Sequence, residues 1–200
     1  MANISASMVK ELRDRTKAGM MDCKKALKEC DGDMEKAVDW LRQKGLSVAA
    51  KRAGRATSQG VVQSYIHAGN NIGVLVEVNC ETDFVAKTDQ FIQFARDLAM
   101  HIAAVNPVCI RREDVPDELI QREREIYLKQ AQDSGKPENI IEKIVSGRME
   151  KFYREVCLLE QSYVKDPDLT IQDLINDLMA KMGESIGVRR YARFQVGAEE

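Results

Sequence analysis

The stretch Ile72–Val85, with the sequence IGVLVEVNCETDFV, decides how the rest of the chain can fold. Apolar residues occupy every second position from 72 to 80, which is the period of a strand with one buried face. The run then passes into Thr82-Asp83-Phe84-Val85, and Thr88 follows as a good N-cap for a helix. The sequence therefore predicts a strand-to-helix corner that carries an aromatic residue.

Two other alternating runs predict the remainder of a small antiparallel sheet. Residues 61–66 alternate as well, and Gly69-Asn70-Asn71 is typical of a hairpin turn between the two runs. Near the other end of the chain, one side of a third run holds Val188, Arg190, Ala192, Phe194 and Val196. Because an isolated hairpin is only marginally stable, we expect the third run to join the sheet.

The first fifty residues indicate three short helices. Each helical stretch is closed by one of three glycines that are thirteen residues apart: Gly19, Gly32 and Gly45. The second helix is expected from about Asp22 and the third from Asp33 to Gly45. Such short helices do not persist alone in water, so we expect them to pack together. With a linker they would form one domain, residues 1–55.

Residues 56–200 are expected to form the core domain. One helix begins at Thr88 and another spans Asp173–Met182. Two further helices, separated by Ser134-Gly135-Lys136-Pro137, should form an antiparallel arm over residues 116–156. The apolar seam of the arm is thin, which favours an arm that protrudes from the body. The fold class is thus α+β: a three-helix module, then a small sheet backed by helices with a helical hairpin.

Composition narrows the function classes. The chain has 30 Lys and Arg against 32 Asp and Glu, which argues against a dedicated nucleic-acid binder. No apolar run approaches the ~20 residues of a membrane span, and residues 1–10 lack the layout of a signal peptide. The five cysteines are scattered and contain no C-x-x-C pair, which indicates reduced thiols. We expect a cytoplasmic protein without a metal or cofactor, whose partner is another protein.

Catalytic motifs are scarce. The two histidines, His67 and His101, have no neighbours that suggest a triad, and both are interpreted as surface or interface residues. Gly135-Lys136 is followed by Pro137, where a phosphate-binding loop needs Ser or Thr. The sequence therefore predicts a protein that is not an enzyme.

Three features leave alternatives open. Phe84 could pack under the following helix or project as an anchor for a partner pocket. The pair Met20-Met21 could fill the space between two helices or form an adaptable docking surface. The basic residues Lys51, Arg52 and Arg55 could lie in a solvated connector or contact an acidic partner.

The sequence resembles the elongation factor Ts family, and it resembles the family's short form from end to end. Three stretches carry the resemblance: residues 5–27, with SASMVKELR and AGMMDCKKAL; residues 77–87, with EVNCETDFVAK; and Ser134-Gly135-Lys136-Pro137 with Gly147-Arg148-Met149. The resemblance implies a ubiquitin-associated-like N-terminal domain and the GTPase elongation factor Tu as partner. It also implies that this chain exchanges the bound GDP of that GTPase for GTP.

The resemblance also implies roles for particular residues. Thr82, Asp83, Phe84 and Val85 match the motif that enters the GTPase and dislodges its Mg²⁺. Residues that match the docking face of the N-terminal domain are Lys10, Arg13, Met20, Met21 and Lys24. Weaker partner contacts are implied for His67 and His101.

Longer members of the family contain two related halves, and this chain has room for one. We therefore expect a homodimer that binds two GTPases, because a second copy would also satisfy the sheet's unpaired edge. The rival functions are an adaptor that binds a ubiquitin-like protein through the helical module and an RNA-binding or ribosome-associated factor.

Overall fold

The computed structural model describes residues 4–16, 18–52 and 54–198, except for the side chains of residues 48–50. The helices are α1 (Ala6–Thr16), α2 (Met20–Glu29), α3 (Met34–Arg52), α4 (Asp83–Ala86), α5 (Asp89–Val105), α6 (Asp117–Gln132), α7 (Glu138–Val156) and α8 (Ile171–Met182). The strands are β1 (Gln59–Ile66), β2 (Ile72–Cys80), β3 (Ser162–Tyr163), β4 (Asp166–Thr170) and β5 (Ile186–Gln195). This mixture confirms the α+β class. In the described part of the chain, no helix is long and apolar enough to cross a membrane.

The described residues fall into two compact units. The first combines the chain up to Val61 with residues 77–93 and 173–189, and the second combines residues 62–76, 94–172 and those from 190 onward. The three N-terminal helices thus share a unit with the corner that follows β2. That residues 1–55 form a domain of their own, and residues 56–200 another, remains a prediction.

The N-terminal helices pack on one another as predicted. Their shared core is fully apolar and consists of Val9, Leu12, Cys23, Ala26, Leu27 and Ala37, with Met34, Val38 and Leu41 packed against it. Two predicted boundaries were wrong: α2 begins at Met20, and α3 continues through Gly45 to Arg52. A glycine inside a helix costs about 1 kcal/mol. A Cβ at Gly45 would lie 3.5 Å from the Cβ of Ala180, so Gly45 packs against α8. This tertiary packing outweighs the low helix propensity of glycine, and α3 continues through it.

The large sheet has the predicted members in the order β1-β2-β5. Along β2 the even positions from Val74 to Cys80 are buried, which confirms the predicted inner face. The amide of Val196, just beyond β5, donates to the carbonyl of Asn71, just before β2, so these strands run antiparallel. The hairpin turn is confirmed too, with Asn70 in the left-handed region at φ 56°.

The alternation predicted for the last strand was wrong in its second half. Val188 is buried, but Phe194 and Val196 are exposed. Between Val188 and Phe194 the alternation of inward and outward side chains shifts by one residue. Tyr191 and Arg193 hold the shifted register, because their side chains donate hydrogen bonds to the carbonyls of Pro107 at 2.6 Å and Ala103 at 3.2 and 3.3 Å.

The arm is an antiparallel pair of helices, as predicted. Its helix α7 buries four side chains (Ile141, Val145, Met149 and Phe152), whereas α6 buries only Ala131. At the base of the arm, Arg112 donates to the Glu150 carboxylate at 2.7 and 2.9 Å and also bonds Glu160. Its guanidinium lies 4.6 Å from the ring of Tyr153. The short pair β3-β4 after the arm was not predicted from the sequence.

The predicted surface position of His101 was wrong, because this side chain is fully buried. His101 lies seven residues after Phe94 and three after Leu98, so it falls on the flank of the buried stripe of α5. Its Nε2 donates to Oε1 of Gln161 at 3.2 Å, and its Nδ1 is buried without a hydrogen-bond partner. Burial lowers the pKa of this imidazole, so the folded protein holds it neutral.

Protonation of His101 should destabilise the fold at mildly acidic pH. Below about pH 6.5 the unfolded chain takes up a proton at His101, whereas the folded chain resists protonation. Each unit by which the pH is lowered should therefore reduce the free energy of unfolding by at most about 1.4 kcal/mol. Above that pH this contribution disappears. Urea unfolding at pH 7.5 and 5.5 measures the difference.

The variant His101→Leu should lose this pH-dependent part, although it is less stable at both pH values because Gln161 loses a partner. The control is His67→Gln, which changes an exposed histidine. This variant should keep the wild-type pH dependence. An unchanged dependence in His101→Leu would contradict the assignment.

Candidate functional site

The corner after β2 is built by a cap on a very short helix. Thr82 is the N-cap of α4 in an extended conformation, and its Oγ1 accepts from the amide of Val85 at 3.5 Å. The Sγ of Cys80 donates to the carbonyl of Thr82 at 3.1 Å. The direction of the chain therefore changes within two residues of the strand.

A second cap joins the corner to the long helix α5. The hydroxyl of Thr88 donates to the carbonyl of Val85 at 2.8 Å and accepts from the amide of Phe91 at 3.3 Å. Val85 and Ala86 are both buried. The corner is therefore fixed to the core on its inner side, with α5 starting directly from it.

Phe84 projects from this fixed corner. Its exposed fraction is 80%, whereas Phe91, seven residues later, is fully buried. The structure thus excludes the alternative in which Phe84 packs under α5. A large apolar side chain that is exposed on a rigid turn is the geometry of an anchor for a partner pocket.

Asp83 gives the same corner a negative charge. Its carboxylate accepts from the ammonium of Lys87 at 2.6 Å, one turn later in the chain. This hydrogen bond lowers the pKa of Asp83. Asp83 therefore stays ionised beside Phe84, at the start of α4, where the backbone amides also favour an anion.

The five residues predicted for the N-terminal docking face all lie on the surface. Lys10 and Arg13 are one turn apart on α1, and Met20, Met21 and Lys24 occupy the first turn and a half of α2. Met21 is 73% exposed and Met20 is more than half exposed. The two methionines therefore do not fill a gap between helices, and they add soft apolar surface among three cations.

The two histidines occupy different environments, and both belong to the second unit. His67 follows β1 directly and is exposed, as predicted, and its Nδ1 lies 3.1 Å from the hydroxyl of Tyr65. His101 is buried, so its side chain offers nothing to a partner in this conformation. Of the two weaker contacts, only His67 remains a candidate.

An apolar patch on the outer face of the sheet was missed by the sequence reasoning. A depression of about 410 Å³ is lined by exposed apolar residues from each strand, Ile66, Leu75 and Phe194, and by Val196 just beyond β5. Phe194 is 68% exposed. The unexpected shift of register in β5 places Phe194 and Val196 there, which explains why simple alternation did not reveal the patch.

Groups suited to bond chemistry are few in the described residues. They contain no cluster of three or more His, Cys, Asp or Glu that could hold a metal. The five cysteines are free thiols, and burial raises the pKa of Cys157 to about 12, which keeps it protonated. The first unit carries two exposed features of another kind: the aromatic corner at Phe84 and the basic face with Met20 and Met21.

Comparison with known proteins identifies the family of this chain. Residues 6–198 match the family model described as Elongation factor TS. The chain belongs to the elongation factor Ts family. It is 68% identical over 195 residues to "Elongation factor Ts" of Desulfotalea psychrophila, an alignment that covers 98% of this chain and 99% of the relative. It is also 63% identical over 197 residues to the protein of the same name from Desulfosudis oleivorans, with 98% and 100% covered.

A third relative, "Elongation factor Ts" of Carboxydothermus hydrogenoformans, is 62% identical over 194 residues, which are 97% of this chain and 89% of that protein. The matched region includes both the helical face and the corner at Thr82–Val85. The family places this chain among the elongation factors of translation.

Proposed function

We propose that this chain binds elongation factor Tu in its GDP form and promotes exchange of GDP for GTP. The observation that supports the proposal most strongly is Phe84, which is exposed on a corner that is anchored on its inner side by Val85 and Ala86. The corner Thr82–Val85 enters the GTPase, with Asp83 and Phe84 as the principal contacts, and displaces the nucleotide's Mg²⁺. Such a factor works in the cytoplasm, where translation takes place.

The energetics require no covalent step. A GTPase holds GDP through a phosphate-binding loop and a bridging Mg²⁺. A protein that binds the nucleotide-free GTPase tightly weakens GDP by the same factor, because coupling between two ligands is reciprocal. Burial of Phe84 in the partner supplies free energy for the shift that loosens the metal and the phosphates. GTP then refills the site and the exchange factor leaves.

The role of Phe84 can be tested by removing its ring. Phe84→Ala should lower the efficiency of GDP release from elongation factor Tu roughly thirty-fold or more, the effect of losing an aromatic hot spot worth ~2–4 kcal/mol. Its free energy of unfolding should change by less than about 0.5 kcal/mol, because the side chain is exposed. Stopped-flow release of labelled GDP and urea unfolding measure the two quantities.

Phe91→Ala is the matched control for the same residue type in the core. This variant should lose about 3–5 kcal/mol of stability because Phe91 is fully buried. An unchanged rate of release with Phe84→Ala would exclude the corner as the agent of exchange.

We also propose that residues 1–55 act as a docking module, through Lys10, Arg13, Met20, Met21 and Lys24. Two exposed methionines between cations suit a partner surface that is apolar at its centre and acidic at its rim. Docking by this face would hold the GTPase against the same unit that carries the corner. The module would then add affinity for the GTPase, and this binding energy would help the corner to enter the GTPase.

Replacement of both Met20 and Met21 by Ser should raise the Kd for elongation factor Tu about tenfold, with little effect on folding. The control is Leu46→Ser, which alters an exposed leucine of the same module outside the proposed face. It should leave the affinity unchanged. Titration calorimetry with both variants tests the face, and equal affinity of the methionine variant and the wild type would refute it.

We further propose that the working form is a homodimer in which the apolar patch of one chain packs on that of a second copy, giving two chains and two GTPases per complex. A two-fold axis, the commonest symmetry of soluble oligomers, brings the same patch of both copies together, so one apolar patch per chain suffices for a dimer. Its centre is apolar and it contains Phe194, the kind of anchor that dimer interfaces favour. This face, more than the strand edges, would bury surface in the dimer.

Phe194→Asp should convert the dimer into a chain of 22.6 kDa, because a carboxylate cannot be buried in an apolar interface without a partner. Val164→Asp introduces the same charge at an exposed valine outside the patch and should leave the dimer intact. Sedimentation at micromolar concentration distinguishes the two masses. A wild-type protein that sediments at 22.6 kDa and exchanges at full rate would rule out the dimer as the working form.

A further inference from the structure

Glu184 holds the backbone of the corner from a distant part of the chain. Its Oε2 accepts from the amides of Glu81 at 3.1 Å and Thr82 at 3.0 Å. Its Oε1 accepts from the hydroxyl of Thr82 at 2.6 Å. One carboxylate thus receives three hydrogen bonds from the two residues that precede α4, and hydrogen bonds to an ionised acceptor are among the stronger ones.

Glu81 returns this contact, and we call the hydrogen bonds between residues 81–82 and 184–185 the bracket. The Oε1 of Glu81 accepts from the amide of Ser185 at 2.6 Å, so each of the two carboxylates binds the backbone beside the other. Gly183 directly follows α8 and adopts a left-handed conformation with φ 72°. This conformation ends the helix immediately before Glu184. The segments 81–82 and 184–185 are therefore fixed to each other.

Glu81 also connects the bracket to the helical module. Its carboxylate oxygens lie 3.7 Å from Nη1 of Arg52, at the end of α3, and 3.6 Å from Nη1 of Arg55. The side chains of Arg52 and Glu81 are about three-quarters buried. This finding assigns two of the three basic residues in the predicted connector to an ion pair within the chain.

Glu184 supports the corner on its N-terminal side, in addition to the caps at Thr82 and Thr88 and the burial of Val85 and Ala86. A helix of four residues is too short to be stable in isolation, and the exposed ring of Phe84 makes no core packing that would orient it. The position of Phe84 therefore depends on the backbone on both sides of it, and Glu184 holds the preceding side at Glu81 and Thr82. An anchor that is already oriented loses less conformational entropy on binding.

We propose that Glu184 is a positioning residue for nucleotide exchange: it holds the corner, through Thr82 and Glu81, so that Phe84 is presented to the GTPase. This inference rests on the proposed role of Phe84. Its consequence is that Glu184 contributes to exchange only when Phe84 is present. A residue that merely stabilised the fold would contribute equally with or without Phe84.

A double-mutant cycle separates these two roles. Glu184→Ala should slow GDP release from elongation factor Tu about tenfold in the wild-type background, a typical coupling between neighbouring groups. In the Phe84→Ala background the same change should slow release less than about twofold, because no anchor is left to orient. Equal effects in both backgrounds would overturn the inference and leave the role of Phe84 intact. If Phe84→Ala itself exchanges normally, the proposed function fails.

Two further variants complete the test. Asp177→Ala removes a carboxylate of α8 that pairs with Lys181, and it should leave exchange unchanged. Glu184→Gln keeps an oxygen that can accept from both amides, so it should retain most of the activity. A glutamine variant as slow as the alanine variant would contradict a role through these hydrogen bonds. If Glu184→Ala does not fold, Glu184→Asp, which withdraws the carboxylate from Glu81 and Thr82 by one methylene group, replaces it in the cycle.

Discussion

The burial of Val85 and Ala86 directly after β2 is the constraint on which the functional surface depends. The inner face of β2 is fixed in the core up to Cys80, and the chain must return to the core only five residues later. Between these two anchors the backbone has room for one turn of helix. Phe84 precedes the buried pair in that turn, and it cannot move inward without withdrawing Val85. Its exposure is therefore a consequence of the packing on either side.

That arrangement has a cost and a use. An exposed phenylalanine keeps apolar surface in water that a core position would bury, and it is a liability for association. The backbone that carries this ring is held by caps at Thr82 and Thr88, so the proposed entry into a partner would cost little conformational freedom. Exchange requires binding energy that is released only in the complex, so a rigid exposed anchor suits this task better than a flexible one.

The sequence predicted the features that depend on local periodicity. The alternation from Ile72 to Cys80, the hairpin turn and the three N-terminal helices are each encoded by neighbouring residues, and the structure confirms them. Gly45 misled the prediction because the cost of a glycine in a helix is small beside tertiary packing. The shifted register of β5 was also out of reach, since it is fixed by hydrogen bonds from Tyr191 and Arg193 to α5 and the segment after it.

The candidate site was predicted in part. Spacing alone left Phe84 undecided between core and surface, and the resemblance to a family named the motif without supplying its geometry. Glu184 could not have been found, because its partners Glu81 and Thr82 are about a hundred residues away and no local pattern marks them. His101 was misplaced for a related reason: a polar residue on the flank of an apolar stripe is buried only when a distant partner, here Gln161, accepts a hydrogen bond from it.

The most direct test of the account is the rate at which labelled GDP leaves elongation factor Tu as this protein is added, with and without free Mg²⁺. We predict a large, saturable acceleration in the presence of Mg²⁺ and a smaller one after chelation, because displacement of the metal is part of the role proposed for the corner. A rate that stays at the intrinsic value of the GTPase, at concentrations where the two proteins bind, would contradict the account.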